Sequence, residues 1–392
     1  MIFSEIRHQV EMTGTYLGTP SMVRMPDGTL VVSHDYFGAA AADNRPGLTS
    51  IYHSYNNGKD WVSITHLVNM YWGTLFLHRG SLYLFGVTRE YGDLVIRRST
   101  DGGLTWTYPT DSRSGLLRKA SEGYTMPNYT TGVCAKIIRN GRLMIPADLL
   151  YADGTAPVYR PDRESAMIFA VPEDADLLDA ANWSESNALP FERTKVPDQK
   201  LPVETSGLLE GRLKHADPVL QVSGWLEGNL IEAPDGSLKY MTRIHLAQPN
   251  KAAILDVSDD GSRLSFDYAS GIIDFPGGHS RFIPRKDPVT GLYFTLTNYV
   301  DNPDYFCERH ELDLAVSEDL RNWRMIKQIL KDDTGMSEFF SAHLTGFQYV
   351  DWLFDGDDIE FVCRTGYRGA HTFHDSNRIT YHRIPGFRKL LS

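Results

Sequence analysis

Six short turn motifs recur along the 392-residue chain, each closing two runs of β-forming residues. They are Pro26-Asp27-Gly28, Arg79-Gly80, Asn140-Gly141, Pro234-Asp235-Gly236, Thr290-Gly291 and Asp355-Gly356. Each is a tight-hairpin signal, because glycine supplies the positive φ that such turns need. The flanks are strand-like: 22–25 with 29–33, 75–78 with 81–86, and 282–284 with 292–297. Successive glycines lie 52, 61, 95, 55 and 65 residues apart. A repeating unit of roughly 45–60 residues fits a four-stranded propeller blade. The chain is therefore expected to be all-β: a six-bladed β-propeller of four-stranded antiparallel blades, with seven blades as the alternative. One domain is expected over 1–392, closed by pairing residues 3–12 with the last blade. The 95-residue gap contains a polar, proline-containing stretch at 192–218, read as a long insertion between blades. A degenerate extra blade is the other reading of that gap.

Composition excludes several classes. Hydrophobic residues make up 42% and charged residues 23%, which is a folded composition. No apolar run is long enough to span a membrane. The net charge is −11 and there is no Lys/Arg-rich run, so neither nucleic acid nor membrane is an expected partner. Neither GxGxxG nor GxxxxGK[ST] occurs, and no cofactor is expected. Cys134, Cys307 and Cys363 are too few for a disulfide framework and favour a reducing compartment. The first residues, MIFSEIRHQV, lack a leader pattern. The expected location is cytoplasmic, or secreted if a leader has been removed.

A second motif follows the hairpins. Residues 99–106, STDGGLTW, read S-x-D-x-G-x-T-W. The Asp can accept backbone N–H bonds inside the turn, Gly takes the left-handed position, and Trp packs the turn onto the blade. Residues 54–61 (SYNNGKDW) are a weaker copy; 258–266 and 317–323 are decayed ones. These octapeptides resemble the Asp-boxes, or BNR repeats, of the sialidase superfamily. The resemblance covers nearly the whole chain as architecture, but only the boxes and a few blade starts as motif. It implies a fold and no chemistry.

The chemistry must come from one mouth of the channel. In a propeller blade the innermost strand begins, and its hairpin partner ends, on the same face of the disc. These positions give a ring: His34 and Asp35; Trp72 and Arg89; Tyr129 and Asp148; Trp225, Glu227, Arg243 and His245; His279, Arg281 and Asn298; and Arg364. Polar residues at one end of apolar strands suggest a binding mouth. Glu227 needs a cationic or hydrogen-bonding partner if buried, and Arg243 on the same hairpin is the natural one. Trp72 and Trp225 either stack on a sugar face or pack between blades.

Residues 224–244 resemble the sialidase stretch in which a Glu opens a blade and an Arg closes the hairpin. In that family the Glu assists a nucleophilic Tyr and the Arg belongs to a carboxylate-binding triad. This implies Glu227 and Arg243 in those roles, with Asp43 where the general acid falls. Two departures stand against sialic acid cleavage. Gly18-Thr19-Pro20 lacks the first triad Arg, and Gly278-His279-Ser280 places a His where the Tyr is expected. Residues 33–38, 277–288 and 373–384 resemble the wider sialidase-like or BNR-repeat glycosidases, a group that includes rhamnosidase-like enzymes and polysaccharide lyases.

Three functions are therefore expected to compete. The first is a glycoside hydrolase acting on a terminal, anionic or uronate-linked sugar of a glycan or oligosaccharide. Its catalytic candidates are Glu227, Asp35, Asp43, His34 and His279. Its substrate-binding candidates are Arg243, Arg89, Arg281, His245, Trp72, Trp225, Tyr129, Asn298 and Arg364. The second is a polysaccharide lyase with His34, His245 or His279 as base and Arg243 or Arg364 neutralising a uronate. The third is a propeller that only binds glycans. No metal is expected. His371 and His374 are read as satisfying backbone groups, and Cys307-Glu308-Arg309-His310 as a lone cluster.

Overall fold

The computed structural model describes residues 4–38, 46–121, 127–150, 163–196, 224–302 and 308–391. Among them are six antiparallel sheets, consecutive in the chain, which are the six blades of a propeller. From the axis outward, blade 1 runs Ser21–Arg24, Leu30–Phe37, Leu48–Ser54 and Val62–Val68. Blade 2 runs Tyr71–His78, Ser81–Val87, Leu94–Ser99 and Leu116–Arg118. The inner strand of blade 3 is split into Asn128–Thr130 and Ile137–Arg139, followed by Arg142–Leu150 and Glu164–Pro172. Blade 4 is built on Gly224–Glu232, Leu238–His245 and Lys251–Val257. Blade 5 runs Arg285–Lys286, Tyr293–Thr297, Glu311–Ser317 and Trp323–Lys331.

Blade 6 closes the ring. Its inner strands are Gly346–Asp355, Asp358–Gly366 and Arg378–Ile384, and its outermost strand is the N-terminal Ser4–His8. Ser4 pairs with Tyr381 and His8 with Arg378. Of the insertion expected at 192–218, only residues 192–196 lie within the described residues.

The hairpin glycines do what the sequence asked of them; Gly28 and Gly80 sit at φ +90° and +80°. The octapeptides fold into turns between the third and fourth strands. In blade 2, Ser99 Oγ donates to Asp101 Oδ1 (2.7 Å), Gly103 N–H donates to Ser99 Oγ (2.7 Å), and Thr105 N–H donates to Asp101 Oδ1 (2.9 Å). The pattern recurs at Ser54 and Asn56 in blade 1 and at Ser317 and Asp319 in blade 5. These turns lie at the end of each blade away from the mouth.

The apolar core is divided into six clusters, one between each pair of neighbouring blades. Blades 1 and 2 meet through Val31, Ile51, Leu75 and Leu84; blades 6 and 1 meet through Ile379, Tyr381, Met22 and Leu30. Sheets packed face to face around an axis bury both faces, which explains apolar runs without strict alternation.

The seam between blades 6 and 1 also carries a buried ion network. Glu360, fully shielded, accepts from Arg24 Nη2 at 2.6 Å and from Arg383 Nη1 at 2.9 Å. Tyr381 Oη donates to the same carboxylate at 2.6 Å. Without Glu360, Arg24 and Arg383 keep contacts to Asp355, and Arg383 to Asp358, but the buried Tyr381 hydroxyl loses its acceptor, so Glu360→Ala is expected to destabilise the propeller by roughly 1–3 kcal/mol. The unfolding midpoint in urea measures it; an unchanged midpoint means the seam does not depend on this network.

Candidate active site

Three inner strands carry the same defect at the mouth. Register slips between Tyr71 and Thr74 in blade 2, between Leu226 and Asn229 in blade 4, and between Gln348 and Asp351 in blade 6. Within each slip a non-glycine residue adopts positive φ: Trp72 (+49°), Glu227 (+59°) and Tyr349 (+52°). A bulge of this kind bends the strand and re-aims the side chain, and the strained φ is tolerated only where neighbours fix it.

The odd-numbered blades supply that fixing. Asp35, ending the second strand of blade 1, accepts the Trp72 N–H at 2.9 Å through Oδ2 and the Thr49 hydroxyl at 2.8 Å through Oδ1. Asp148, in the same place on blade 3, accepts the Glu227 N–H at 3.0 Å. Asn298 on blade 5 donates to Phe347 O and Glu311 O, both at 2.7 Å, and accepts from Ser280 Oγ. Gly132 leaves the room that Glu227 needs, since a Cβ there would come within 3.1 Å of its Cγ.

Arg243 is the hub. Its Nη1 donates to Glu227 Oε2 at 2.8 Å and to Tyr349 Oη at 3.2 Å. Its Nε donates to the His279 carbonyl at 3.0 Å, and its Nη2 to His245 Nε2 at 2.8 Å. A guanidinium can only donate, so His245 Nε2 is unprotonated and its lone pair is taken. Burial, then Arg243, His279 and Arg309, holds the His245 pKa well below the usual imidazole range. His279 is pushed down likewise by burial, Arg309 and Arg243.

Around the Tyr349 ring stand three more arginines. The guanidinium carbons of Arg364, Arg309 and Arg281 lie 4.8, 5.5 and 5.8 Å from its centroid. All four arginines are buried. Two further carboxyl groups, Asp148 and Glu164, lie near Glu227. Burial raises the pKa of Asp148 and Glu164, and their mutual repulsion with Glu227 adds to it.

Between blades 6 and 1 the mouth is bordered by a His–Asp–His group. Asp375 holds His371 Nδ1 at 2.7 Å and His374 Nδ1 at 3.0 Å. The expectation that these histidines satisfy backbone groups is corrected: their partner is a carboxylate. Partial burial, then Arg364, pushes the His374 pKa down. Against the cost of burial, hydrogen bonds from both histidines hold Asp375 at about 2. Arg364 Nη2 donates to the His374 carbonyl, which joins this group to the arginine cluster.

The structure thus brings together Glu227, Arg243, His245, His279, Arg281 and Arg364. It places others elsewhere. Trp225 is fully buried, donates to Leu189 O at 3.2 Å and packs on Phe191 and Phe266 between blades 3 and 4. Tyr129 packs against Phe169 in the core between blades 2 and 3. Neither ring is available to a sugar. His34 is stacked on Tyr52, 5.4 Å away, and burial pushes its pKa down to about 4. Asp35 and Asn298 spend their polar atoms on stapling blades. Trp72 packs on Tyr71 and Tyr91, and Arg89 lies in the turn after the second strand of blade 2. Asp43 lies outside the described residues. Among the described residues, no group of three or more His, Cys, Asp or Glu could hold a metal ion. Cys134 and Cys363 are buried free thiols.

Tyr349, Arg309, Glu164 and the Asp375 group were not among the expected site residues. The signal for Tyr349 was the interval from the bulge to the hairpin glycine, which is nearly the same for Trp72, Glu227 and Tyr349.

No protein-family model and no curated protein matches the sequence. Solved structures do match. An α-L-arabinanase from Penicillium chrysogenum, complexed with arabinobiose, is 12% identical over 98% of both chains, with a TM-score of 0.57. An α-L-arabinofuranosidase from Fusarium graminearum, in complex with an iminosugar inhibitor, is 10% identical over 100% of this chain and 99% of that one, with a TM-score of 0.59. The Trypanosoma rangeli sialidase in complex with sialic acid is 14% identical over 96% of this chain and 55% of its own, with a TM-score of 0.58. The fold is shared with propeller glycosidases. At these identities the likeness is one of architecture.

Burial pushes the Asp35 pKa up to about 7. A carboxyl that holds its proton more tightly when folded costs stability as pH rises from its unfolded value through its folded one. Stability is therefore expected to fall between about pH 4 and pH 7, by up to about 4 kcal/mol from this group. Asp35→Asn should flatten that slope in denaturation curves taken across the range; a slope identical to that of the parent protein assigns the loss to other groups.

Proposed function

We propose that the mouth is the active site of a glycoside hydrolase that removes a terminal, carboxylate-bearing sugar from a glycan. The observation that carries this reading is the Tyr349 hydroxyl, 3.2 Å from the Arg243 nitrogen that also holds Glu227. Tyr349 is the nucleophile. Arg243 lowers the energy of its phenolate, and Glu227, on the other side of the same nitrogen, takes up the phenol proton. Attack on the anomeric carbon gives a glycosyl–tyrosine, which water then releases. On the resemblance to sialidases, Asp43 protonates the leaving oxygen. Hydrolase chemistry is favoured by the neighbours, whose names are those of an arabinanase, an arabinofuranosidase and sialidases.

An anionic sugar is favoured by charge. Arg243, Arg309 and Arg364 converge on one spot, and Asp148 and Glu164 are biased toward their neutral forms. Guanidinium groups bind carboxylates with paired, charge-assisted hydrogen bonds. The sialic acid named for one neighbour belongs to this class, and the arabinobiose named for another does not.

A lyase is the second reading, and it rests on a different histidine from those first considered. His245 has its lone pair occupied and His34 is enclosed in its blade, whereas His374 is oriented by Asp375 and its side chain is 43% exposed. Its neutral imidazole beside Arg364 is the base this reading requires.

The test is a screen against glycosides of acidic and neutral sugars, following reducing ends and ultraviolet-absorbing unsaturated products in parallel. Hydrolysis of an acidic glycoside is expected. Tyr349→Phe and Glu227→Gln should each lower kcat by ~10³-fold or more with an unchanged melting temperature. Mass spectrometry of a slow substrate should locate the sugar on Tyr349. Full activity of Tyr349→Phe removes the nucleophile assignment, an unsaturated product selects the lyase, and binding without any product selects a glycan-binding propeller.

A further inference from the structure

One carboxylate sets the tautomer of two histidines at the edge of the mouth. Asp375 lies in the loop between the second and third strands of blade 6 and is 7% exposed. Its own N–H donates to Thr372 Oγ1 at 2.9 Å, which holds it in place. An ionised carboxylate can only accept, so the nitrogens that meet it, His371 Nδ1 and His374 Nδ1, carry the protons. In the neutral rings each Nε2 is then a bare acceptor. Neither Nε2 meets a protein group among the described residues, and the His374 side chain is 43% exposed.

Packing shows where these acceptors stand. The His374 ring meets Phe37 edge-on, 5.3 Å between centroids. The Arg364 guanidinium lies 4.4 Å from the same Phe37 ring and 4.8 Å from the Tyr349 ring. The imidazole is thus linked to the phenol through two intervening side chains and has no direct contact with it. A group bound at His374 touches what is attached to a sugar seated at Tyr349, not the carbon that Tyr349 attacks. The His371 ring stacks on Tyr16 at 5.4 Å, and Tyr16 meets Phe37 at 5.5 Å. Both aromatic rings are partly exposed.

The chemistry of these groups selects an occupant. Bare nitrogen acceptors repel carboxylate and sulfate oxygens and take hydroxyl donors. Aromatic edges beside a few fixed polar atoms are the ordinary lining of a small-molecule site, and they suit the C–H faces of a sugar. We propose that His371 and His374, with Tyr16 and Phe37, form a second subsite that binds a neutral sugar, whose hydroxyl groups donate to the two Nε2 atoms. The proposal rests on the reading of the mouth as a site for a terminal acidic sugar. Because that sugar is terminal, its neighbour is the leaving-group residue. The protein then reads a disaccharide: the arginines hold the acidic half and the histidine pair holds the neutral half. Arg364 serves both, since it stands at Tyr349 and donates to the His374 carbonyl. Asp375 is a positioning residue that acts through the imidazoles.

Nitrogen NMR of the histidine-labelled protein tests the tautomers without any substrate. At neutral pH, Nδ1 protonated and Nε2 bare are expected at both histidines, and a protonated His374 Nε2 overturns the proposal. The second test takes the acidic sugar found in the screen and compares its 4-methylumbelliferyl glycoside, whose leaving group has no sugar hydroxyls, with its disaccharide to galactose. His374→Ala should lower kcat/KM for the disaccharide about tenfold or more beyond its effect on the aryl glycoside, mainly through KM. Asp375→Asn keeps both rings but forces one imidazole to present an N–H, and should show the same bias. Equal losses on the two substrates place His374 in the reaction itself, which overturns the subsite and leaves the hydrolase reading standing. Where no glycoside is cleaved, that reading fails and calorimetry decides the subsite with glucuronyl-galactose against methyl glucuronide. Tighter binding of the disaccharide that is lost in His374→Ala upholds it; equal binding, or none, overturns it. Should His374→Ala not fold, the parent protein's NMR and Asp375→Asn decide.

Discussion

A buried backbone N–H without a partner costs about 1–3 kcal/mol, and a bulge at positive φ adds strain of similar size. Trp72 and Glu227 incur both. Their N–H groups, lifted out of the strand ladder by the register slip, are met by Asp35 and Asp148 from the preceding blades. The carboxylate that satisfies the bulge also ties two blades together, so the positioning of the mouth and the cohesion of the ring are one interaction. That coupling explains why carboxyl groups sit at positions where burial pushes their pKa upward. Each is retained for the N–H it accepts from, at the expense of its own ionisation.

The same economy shapes the electrostatics of the mouth. Arginines resist deprotonation, so buried Arg243, Arg309 and Arg364 keep their charge and hold it at the Tyr349 ring. Carboxyl groups respond to burial by taking a proton instead, as the directions for Asp148 and Glu164 indicate. The result is a pocket rich in both residue types yet cationic in effect. Histidines packed among these arginines are driven to the neutral form, which makes His245 a hydrogen-bond acceptor for Arg243 rather than a proton store.

Fold and site differed in how far the sequence exposed them. The hairpin glycines and the Ser–Asp turns act within a few residues, so spacing alone displayed the blades and the closing strand. Glu227 and Arg243 were legible as a pair because one hairpin carries both. Tyr349 was not, because the resemblance put the expected Tyr at His279, and the strand beginning at Gly346 was given no mouth residue at its start. Trp225 and Tyr129 misled for the reason opposite to burial rules. A residue at the mouth end of an inner strand still alternates in direction, and these two point between blades. Asp35 and Asn298 sit at the mouth as expected, but their polar atoms are consumed by neighbouring backbone, which only three-dimensional pairing reveals.

The alternation of blades carries the last step. Bulges occur in blades 2, 4 and 6, and the groups that staple them come from blades 1, 3 and 5. The ring therefore has an approximate threefold plan at its mouth, and three equivalent positions carry Trp72, Glu227 and Tyr349. One backbone device thereby aims the Glu227 carboxylate and the Tyr349 phenol at the same guanidinium, while Trp72 packs on Tyr71 and Tyr91. Second-strand positions follow the same plan: the residues paired just before the bulges are Val87, Arg243 and Arg364. Two of the three sectors thus bring a guanidinium to Tyr349, whereas Val87 is buried in the core between blades 2 and 3. The backbone symmetry is broken only in its side chains: Glu227 and Tyr349 meet at Arg243, whereas Trp72 packs against the core between blades 2 and 3.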